Sequence, residues 1–129
     1  MLKNVEMFAR RESIVDTLFH VAMKKDVSTA IELYYELKNT HPDQYIFKQR
    51  ELTTVAFELV QKEKLKDAIE FLKLGTAIYP ESASAYQALG IGYHMDGQET
   101  LAVQNFKKVL ELEPSNSYAK EMLLRLMNE

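Results

Sequence analysis

The chain has 129 residues, about the size of one domain with a single hydrophobic core. Hydrophobic residues make up 47% of it and charged residues 27%, with only 4 glycines and 3 prolines, which excludes long disorder and a loop-rich fold. The formal charge of -3 leaves no basic excess to neutralise a phosphate backbone, and the absence of cysteine excludes disulfides and thiolate catalysis. We therefore expect one globular domain, residues 1–129, that does not bind nucleic acid.

The same composition favours helix throughout. Ala, Leu, Glu and Lys are abundant, and these residues lose little rotamer freedom in a helix, so we expect an all-α fold. No apolar run reaches the roughly 18 residues that a membrane span requires. The amino end, MLKNVEMFARRES, is charged and does not resemble a signal peptide, so we expect a soluble chain whose compartment the sequence leaves open.

Apolar residues recur at helical spacing along the chain and predict seven helices. In chain order these are residues 10–24, 28–40, 48–62, 65–78, 82–95, 98–111 and 116–128. The second, fourth and sixth predicted helices are each followed by a proline, a residue that cannot continue a helix. These prolines are Pro42, Pro80 and Pro114.

The prolines also mark an internal repeat. Pro114 follows Pro80 by thirty-four positions, whereas Pro80 follows Pro42 by thirty-eight, so the first unit carries four extra residues near 44–47. The predicted units are residues 11–43, 48–81 and 82–115, each a helix pair, and residues 116–128 form a capping helix. A cap is expected because a stack of repeats ends in an apolar face that another element must cover.

The third unit has the most specific residue pattern, with an aromatic residue, Leu-Gly and Tyr on its first helix, then Ala, Phe and Pro on its second. The residues are Tyr86, Leu89, Gly90, Tyr93, Ala102, Phe106 and Pro114. This pattern resembles the tetratricopeptide repeat (TPR), with Tyr in place of Trp. The resemblance implies an α-α superhelix that serves as a protein-binding scaffold. Gly97 follows the first helix and suits the left-handed conformation that ends many helices.

Small residues fall at repeated positions in the predicted helices. Gly90 and Gly92 lie inside one of them, where each glycine costs about 1 kcal/mol relative to alanine. We interpret both as packing residues, at points where paired helices approach too closely for a larger side chain. Ala30, Ala68 and Ala102 are expected at similar close contacts.

The capping helix has one apolar stripe that we expect to cover the stack, formed by Tyr118, Ala119, Met122, Leu123 and Leu126. Leu124 and Met127 fall outside this stripe. Either the helix is buried on two sides, or it offers an apolar surface to a second copy of the chain, giving a homodimer. The sequence leaves monomer and dimer equally open.

A second resemblance covers residues 11–129, which look like the TPR segment at the carboxyl end of many bacterial serine hydrolases of the beta-lactamase-related and esterase type. The matching phrases contain Tyr35, Leu37 and Lys38, then Pro42, Asp43, Tyr45 and Phe47, then Leu110, Glu111, Leu112 and Pro114. The resemblance implies an alternative in which this chain is the appendage of a larger, exported hydrolase. Tyr45 and Phe47 are then expected to anchor the connector between the first and second units.

Hydrolase chemistry itself finds no support in these residues. There is no Gly-x-Ser-x-Gly sequence, and the Ser-x-x-Lys match at Ser117 and Lys120 is better explained by capping at a helix start. The three histidines, His20, His41 and His94, are far apart and lack the spacing of metal ligands. We therefore expect no catalytic, metal or cofactor site in this chain.

The remaining candidate site is the concave groove that the first helices of such a stack line. Its predicted residues are Val15, Phe19, Thr53, Phe57, Val60, Gln87, Ile91 and His94. The groove is mostly apolar, which suits an amphipathic or apolar segment of a protein, a peptide or a companion domain of the same polypeptide. Repeat proteins that hold the acidic tails of chaperones place Lys, Arg and Asn at the positions of Val15, Phe19, Phe57 and Ile91. An equally weighted alternative is that some of these positions are interior.

Overall fold

The computed structural model describes residues 12–128, which form seven helices and two very short strands. The helices are α1 (Val15–Lys24), α2 (Val27–Thr40), α3 (Gln49–Gln61), α4 (Leu65–Ile78), α5 (Ala83–Met95), α6 (Glu99–Leu112) and α7 (Ser117–Met127). The predicted all-α fold is confirmed, and α2 to α7 begin and end within one residue of their predicted bounds. None of the helices in this part of the chain is long and apolar enough to cross a membrane.

The first helix is shorter than predicted. It begins at Val15 because the residues before it form a strand, β1 (Glu12–Ser13), which pairs in parallel with β2 (Tyr45–Ile46). Strand β2 uses two of the four extra residues of the first unit. The Ser13 hydroxyl donates to Glu51 of α3 at 3.2 Å and accepts from the backbone N–H of Val15, so it ties β1 to both helices. The predicted helical residues before 12 lie outside the described part of the chain.

The helices pack as successive pairs: α1 on α2, α3 on α4, and α5 on α6. Neighbouring pairs meet chiefly through α1–α3, α2–α4, α3–α5 and α4–α5, and α7 packs on α6. The principal contacts therefore join each unit to the next one along the chain, as in repeat proteins that stack in one dimension. The predicted superhelix of helix pairs is confirmed, with α7 at its carboxyl-terminal end.

Helical periodicity accounts for the core. In α3, Leu52, Val55, Ala56 and Leu59 are all fully buried, at the i, i+3, i+4 and i+7 spacing of one helix face. The buried residues form two clusters along the stack. The first cluster contains residues from all five helices α1 through α5. The second contains residues from α5, α6 and α7 and surrounds Phe106.

Small residues lie where the helices approach most closely. A Cβ atom added at Gly90 would lie 3.0 Å from Cζ of Phe106, and one at Gly92 would lie 2.7 Å from Cδ1 of Leu72. Both glycines therefore serve packing, as predicted. The three alanines expected at close contacts are fully buried: Ala30, Ala68 and Ala102.

The capping helix covers the second cluster, with one correction to its predicted stripe. Tyr118 is 40% exposed and touches the Phe106 ring only by an edge contact, with centroids 6.0 Å apart. It lies about 100° around the helix from Ala119, which is buried, and so falls beside the covering face. The other predicted members are buried or half-buried: Ala119, Met122, Leu123 and Leu126.

Two of the turns between paired helices contain a residue in the left-handed conformation. Gly97, after α5, has a φ of 74°, as predicted, and Glu63 takes the same position one repeat earlier with a φ of 61°. Glycine adopts this conformation without steric cost, whereas a residue with a Cβ atom pays about 1 kcal/mol for it. The turn after α3 is therefore strained at Glu63.

Replacing Glu63 by glycine should raise the free energy of unfolding by about 0.5 to 1 kcal/mol, because the substitution removes this strain. The matched change in the other turn, Gly97→Ala, should lower it by about 1 kcal/mol. Urea unfolding followed by circular dichroism measures both. A Glu63→Gly variant less stable than the wild type would show that this turn does not need a left-handed residue.

The connector between the first two units is held by aromatic rings. Phe47 packs edge-on against Tyr34 of α2, with centroids 5.6 Å apart, and Tyr45 packs against Phe47 at 6.1 Å. From the second unit, the Tyr79 hydroxyl donates to the backbone carbonyl of Phe47 at 2.6 Å. The prediction that Tyr45 and Phe47 anchor this connector is confirmed.

Tyr34 and Tyr79 differ in what their hydroxyl groups do. The Tyr34 hydroxyl lies near Tyr79 but makes no hydrogen bond of good geometry with any of residues 12–128, and its burial raises its pKa well above the ordinary value. Tyr34→Phe should therefore change the free energy of unfolding by less than about 0.5 kcal/mol, whereas Tyr79→Phe should lower it by about 1 kcal/mol. Urea unfolding of the two variants tests this, and a larger loss for Tyr34→Phe would contradict it.

Candidate functional site

The first helices of the three pairs form one continuous face of the stack. α1 contacts α3, and α3 contacts α5, so side chains at equivalent positions of the three helices lie in a row. Phe19, Phe57 and Ile91 are such equivalents, separated by the same two intervals as the three prolines. All three are half-buried, packed on the core from one side while their outer edges remain accessible.

The eight predicted groove residues do not share one environment. Val15 is 7% exposed and belongs to the first core cluster, so it does not line an accessible surface. His94, by contrast, is exposed to solvent and lies on the last turn of α5. The remaining six are half-buried: Phe19, Thr53, Phe57, Val60, Gln87 and Ile91.

The sequence interpretation missed two methionines on this face. Met23 lies one helical turn after Phe19 and is 36% exposed, and Met95 lies one turn after Ile91 and is 48% exposed. The signal was available, because continuing the i, i+4 row from each predicted residue reaches them. We call the resulting row of accessible apolar side chains the groove stripe: Phe19, Met23, Phe57, Ile91 and Met95.

The three polar residues predicted to line the groove, Thr53, Gln87 and His94, already have partners. The Thr53 hydroxyl accepts a hydrogen bond from the Gln49 side chain at 2.6 Å. The side-chain amide oxygen of Gln87 accepts one from the Asn116 side chain at 3.2 Å. His94 Nδ1 lies 3.0 Å from both carboxylate oxygens of Glu99. These side chains therefore border the stripe without presenting a concentrated charge to a ligand.

Apart from the groove stripe, a depression of about 390 Å³ lies between α4, α5 and α6 and is lined by both charged and apolar residues. Lys66 donates to the Asp96 carboxylate at 2.7 Å, and Gln98 donates to the same oxygen at 2.6 Å. The hydrogen bond from Lys66, followed by that from Gln98, lowers the pKa of the Asp96 carboxyl. Lys73 is likewise paired with Glu70 at 3.2 Å. The charges of this cleft neutralise one another, so it offers no clear binding chemistry.

The described residues carry no metal-binding cluster, and the Ser-x-x-Lys match lies at an ordinary helix start. Among residues 12–128, no three His, Asp or Glu side chains converge in a way that would hold a metal ion. At the Ser-x-x-Lys match, Ser117 is the exposed first residue of α7, and the helix is capped instead by Asn116, whose side chain accepts from the backbone N–H of Ala119 at 2.9 Å. The capping role predicted for this segment therefore belongs to Asn116.

In comparisons with known proteins, no protein-family model and no curated protein matches this chain. The predicted similarity to the carboxyl-terminal segments of serine hydrolases therefore gains no support. Solved structures do match. Their sequence identities to this chain are low, so the matches show only that the fold is shared.

Three of these structures are of similar size to this chain. The first TPR of Spaghetti (RPAP3), bound to the HSP90 peptide SRMEEVD, is 20% identical over 89% of this chain and 88% of its own, with a TM-score of 0.60. The TPR domain of Arabidopsis OM64 is 20% identical over 90% and 93%, with a TM-score of 0.59. The second TPR domain of human RPAP3, in complex with the HSP70 peptide SGPTIEEVD, is 19% identical over 88% and 92%, with a TM-score of 0.60.

These similarities agree with the helix pairs, the repeat length and the small residues at the helix contacts. The described chain, an all-α superhelix of three helix pairs closed by α7, has the fold of a TPR domain.

Proposed function

We propose that this chain is a non-catalytic interaction module that binds an amphipathic helix or another apolar segment along the groove stripe. The segment belongs to another protein or to a companion domain of the same polypeptide. Peptide binding by TPR domains of the same fold, two of which are solved with bound peptides, supports the general role. The apolar character of the stripe supports the choice of ligand.

The observation that carries the proposal is the row of partly exposed apolar side chains on α1, α3 and α5. Met23 and Met95 are exposed at 36% and 48% and extend the half-buried row of Phe19, Phe57 and Ile91 towards the ends of α1 and α5. Burying such surface contributes about 25 cal/mol per Å². Methionine side chains also adapt their shape to different apolar partners, which suits a binding surface for helices.

The stripe suits an apolar ligand better than an acidic tail. The peptides bound by the two RPAP3 domains, SRMEEVD and SGPTIEEVD, both end in acidic residues. At the positions where a carboxylate clamp is expected, this chain has Val15, Phe19, Phe57 and Ile91, none of which can pair with a carboxylate. We infer that it does not share those two ligands.

A direct test uses an 18-residue amphipathic peptide with leucines at i, i+3, i+4 and i+7, labelled with fluorescein. The wild-type chain should bind this peptide, and Phe57→Glu should weaken binding by at least about 30-fold, as expected on loss of a central aromatic anchor. Tyr35→Glu is the matched control, because Tyr35 is 46% exposed on α2, away from the stripe. The peptide SRMEEVD should not bind.

Phe57 is half-buried, so its replacement needs a check of folding by circular dichroism. If Phe57→Glu unfolds the chain, Met95→Glu tests the same stripe at an exposed position and should also weaken binding. Equal losses in the Tyr35→Glu and Met95→Glu variants would contradict the proposal, as would tighter binding of SRMEEVD than of the amphipathic peptide.

A further inference from the structure

Helix α7 repeats α5 in both position and register. It begins thirty-four residues after α5, which is one repeat length. The capping hydrogen bonds match as well, because the Ser82 side chain accepts from the backbone N–H of Ala85 and the Asn116 side chain accepts from that of Ala119. α7 therefore takes the place of the first helix of a fourth unit, and within residues 12–128 no second helix follows it.

The face of α5 that α6 covers is exposed in α7. On α5 this face includes Gly90, where an added Cβ atom would lie 3.0 Å from the Phe106 ring of α6. The residue one repeat later is Leu124, which is 65% exposed, the highest value among the exposed large apolar residues of the described chain. Met127, one repeat after the half-buried Tyr93, is 59% exposed. α7 thus keeps the apolar character of a face that a second helix covers in the unit before it.

This face of α7 borders a hollow. A depression of about 450 Å³ lies between α6 and α7, and its lining is apolar apart from one lysine and one asparagine. The lining residues are Leu110, Lys120, Leu123, Leu124, Met127 and Asn128. Residues 120, 123, 124 and 127 have the i, i+3, i+4 and i+7 spacing with which one helix presents a face to another. We call these four residues the α7 face.

We propose that the α7 face binds an amphipathic helix of a partner protein, which packs antiparallel on α7 in the way that α6 packs on α5. The partner helix completes the fourth unit of the stack. It would continue a type of helix contact that the second and third units already contain. The α7 face shares no residue with the groove stripe, so the proposal does not depend on the proposed function.

The size of Leu124 selects the residue that faces it. At the same repeat positions, the second unit has Ala56 on α3 with Leu72 on α4, and the third has Gly90 on α5 with Phe106 on α6, all of them buried. The first-helix residue is smaller where the second-helix residue is larger, because a packed interface has a fixed volume to fill. A leucine at position 124 therefore calls for alanine or glycine at the partner's equivalent of Phe106.

Lys120 supplies the charge of the α7 face. One repeat earlier its position is held by Tyr86, whose ring centroid lies 5.8 Å from Nζ of Lys108 on α6. A lysine in place of the tyrosine repels a cation at that point and attracts a carboxylate. Among residues 12–128, Lys120 forms no ion pair. The partner helix should therefore carry Asp or Glu two residues after its small residue.

A fluorescein-labelled peptide copy of α6, residues 98–113, serves as the probe after two changes within the peptide. Phe106→Ala supplies the small residue, and Lys108→Glu supplies the acid. The wild-type chain should bind this probe, and Leu124→Glu should weaken binding by at least about tenfold, because it places a charge at the centre of the apolar contact. Met95→Glu, which alters the groove stripe, should bind the probe like the wild type and is the matched control.

An exchange of charges tests the pairing with Lys120. A second peptide, which keeps Lys108 and has only the alanine substitution, should bind the wild-type chain roughly three- to fivefold more weakly than the probe. Lys120→Glu should reverse this preference, since the opposite charges then meet with their places exchanged. An absence of preference in both proteins would contradict the acidic partner helix.

Three results would overturn the proposal. The first is no binding of the probe at concentrations up to about 1 mM, or binding that Leu124→Glu leaves unchanged. The second is loss of probe binding in Met95→Glu but not in Leu124→Glu, which would assign the probe to the groove stripe. The third is self-association of the 14.9 kDa chain that Leu124→Glu abolishes in sedimentation equilibrium, because a second copy would then cover the α7 face.

Discussion

Replacement of Phe106 by alanine should lower the free energy of unfolding by about 4 kcal/mol, within the range for a large aromatic residue removed from a core. Phe106 is fully buried, faces Gly90 of α5, and touches Tyr118 of α7. It therefore joins the last three helices, and a cavity at this point weakens the packing of α7 as well as that of α5. Urea unfolding followed by circular dichroism measures the loss.

A paired substitution tests whether the Phe106 ring packs on Gly90. Gly90→Ala alone should destabilise the chain, because the added Cβ atom would lie 3.0 to 3.2 Å from three atoms of the Phe106 ring. In a Phe106→Leu background the same change should be neutral or stabilising, since the ring is gone and alanine is the better helix former. Additive effects of the two changes, or a loss below about 1 kcal/mol for Phe106→Ala, would contradict a ring packed against Gly90.

Gly92→Leu should lower the free energy of unfolding by about 3 kcal/mol, at the upper end of what overpacking costs. A Cβ atom at Gly92 already falls 2.7 Å from Leu72 and 3.5 Å from Ile69, so a leucine has no room between α5 and α4. The smaller change Gly92→Ala should cost far less, because the atom it meets is the mobile end of the Leu72 side chain. Urea unfolding of both variants provides the comparison.

Gly75 supplies the matched control for Gly92. It also lies inside a helix, yet a Cβ atom there would meet nothing within 4 Å. Gly75→Ala should therefore raise the free energy of unfolding by about 0.5 to 1 kcal/mol, the difference in helix propensity. If Gly75 and Gly92 responded alike to substitution, close helix packing would not be the reason for Gly92.

The helices and the repeat could be predicted because they leave periodic signals in the sequence. Prolines at nearly regular intervals, apolar residues at helical spacing, and small residues at equivalent places locate α2 to α7 to within one residue. The four extra residues of the first unit were also visible as a change in spacing, and Tyr45 and Phe47, which the second resemblance made the expected anchors of the connector, lie among them.

The β1–β2 pair could not be predicted. Strands this short show no alternation, and their pairing depends on contacts between segments that are far apart in the sequence. This pairing explains why α1 begins at Val15. It also explains a buried acid, since the Glu51 carboxylate accepts from the Ser13 hydroxyl of β1 and from Arg50.

The groove was predicted in part. Aligning the repeats locates Phe19, Phe57 and Ile91 at equivalent positions, but an alignment does not show how deeply each side chain is buried. Val15 is buried although it occupies a groove position of its repeat, because it packs in the first core cluster. Conversely, Met23 and Met95 lie at the ends of their helices, where an apolar residue is accessible because few neighbours cover it.

The measurement that tests the central claim most directly is methyl NMR of the chain with 13C-labelled methionines, titrated with the 18-residue amphipathic peptide. The chain has six methionines, of which Met23 and Met95 belong to the groove stripe, Met122 is buried on the inner face of α7, and Met127 is exposed on the same helix. We predict that the methyl signals of Met23 and Met95 shift with peptide while that of Met122 does not. Shifts confined to Met127, or none at Met23 and Met95 when the peptide binds, would show that the face formed by α1, α3 and α5 is not the binding site.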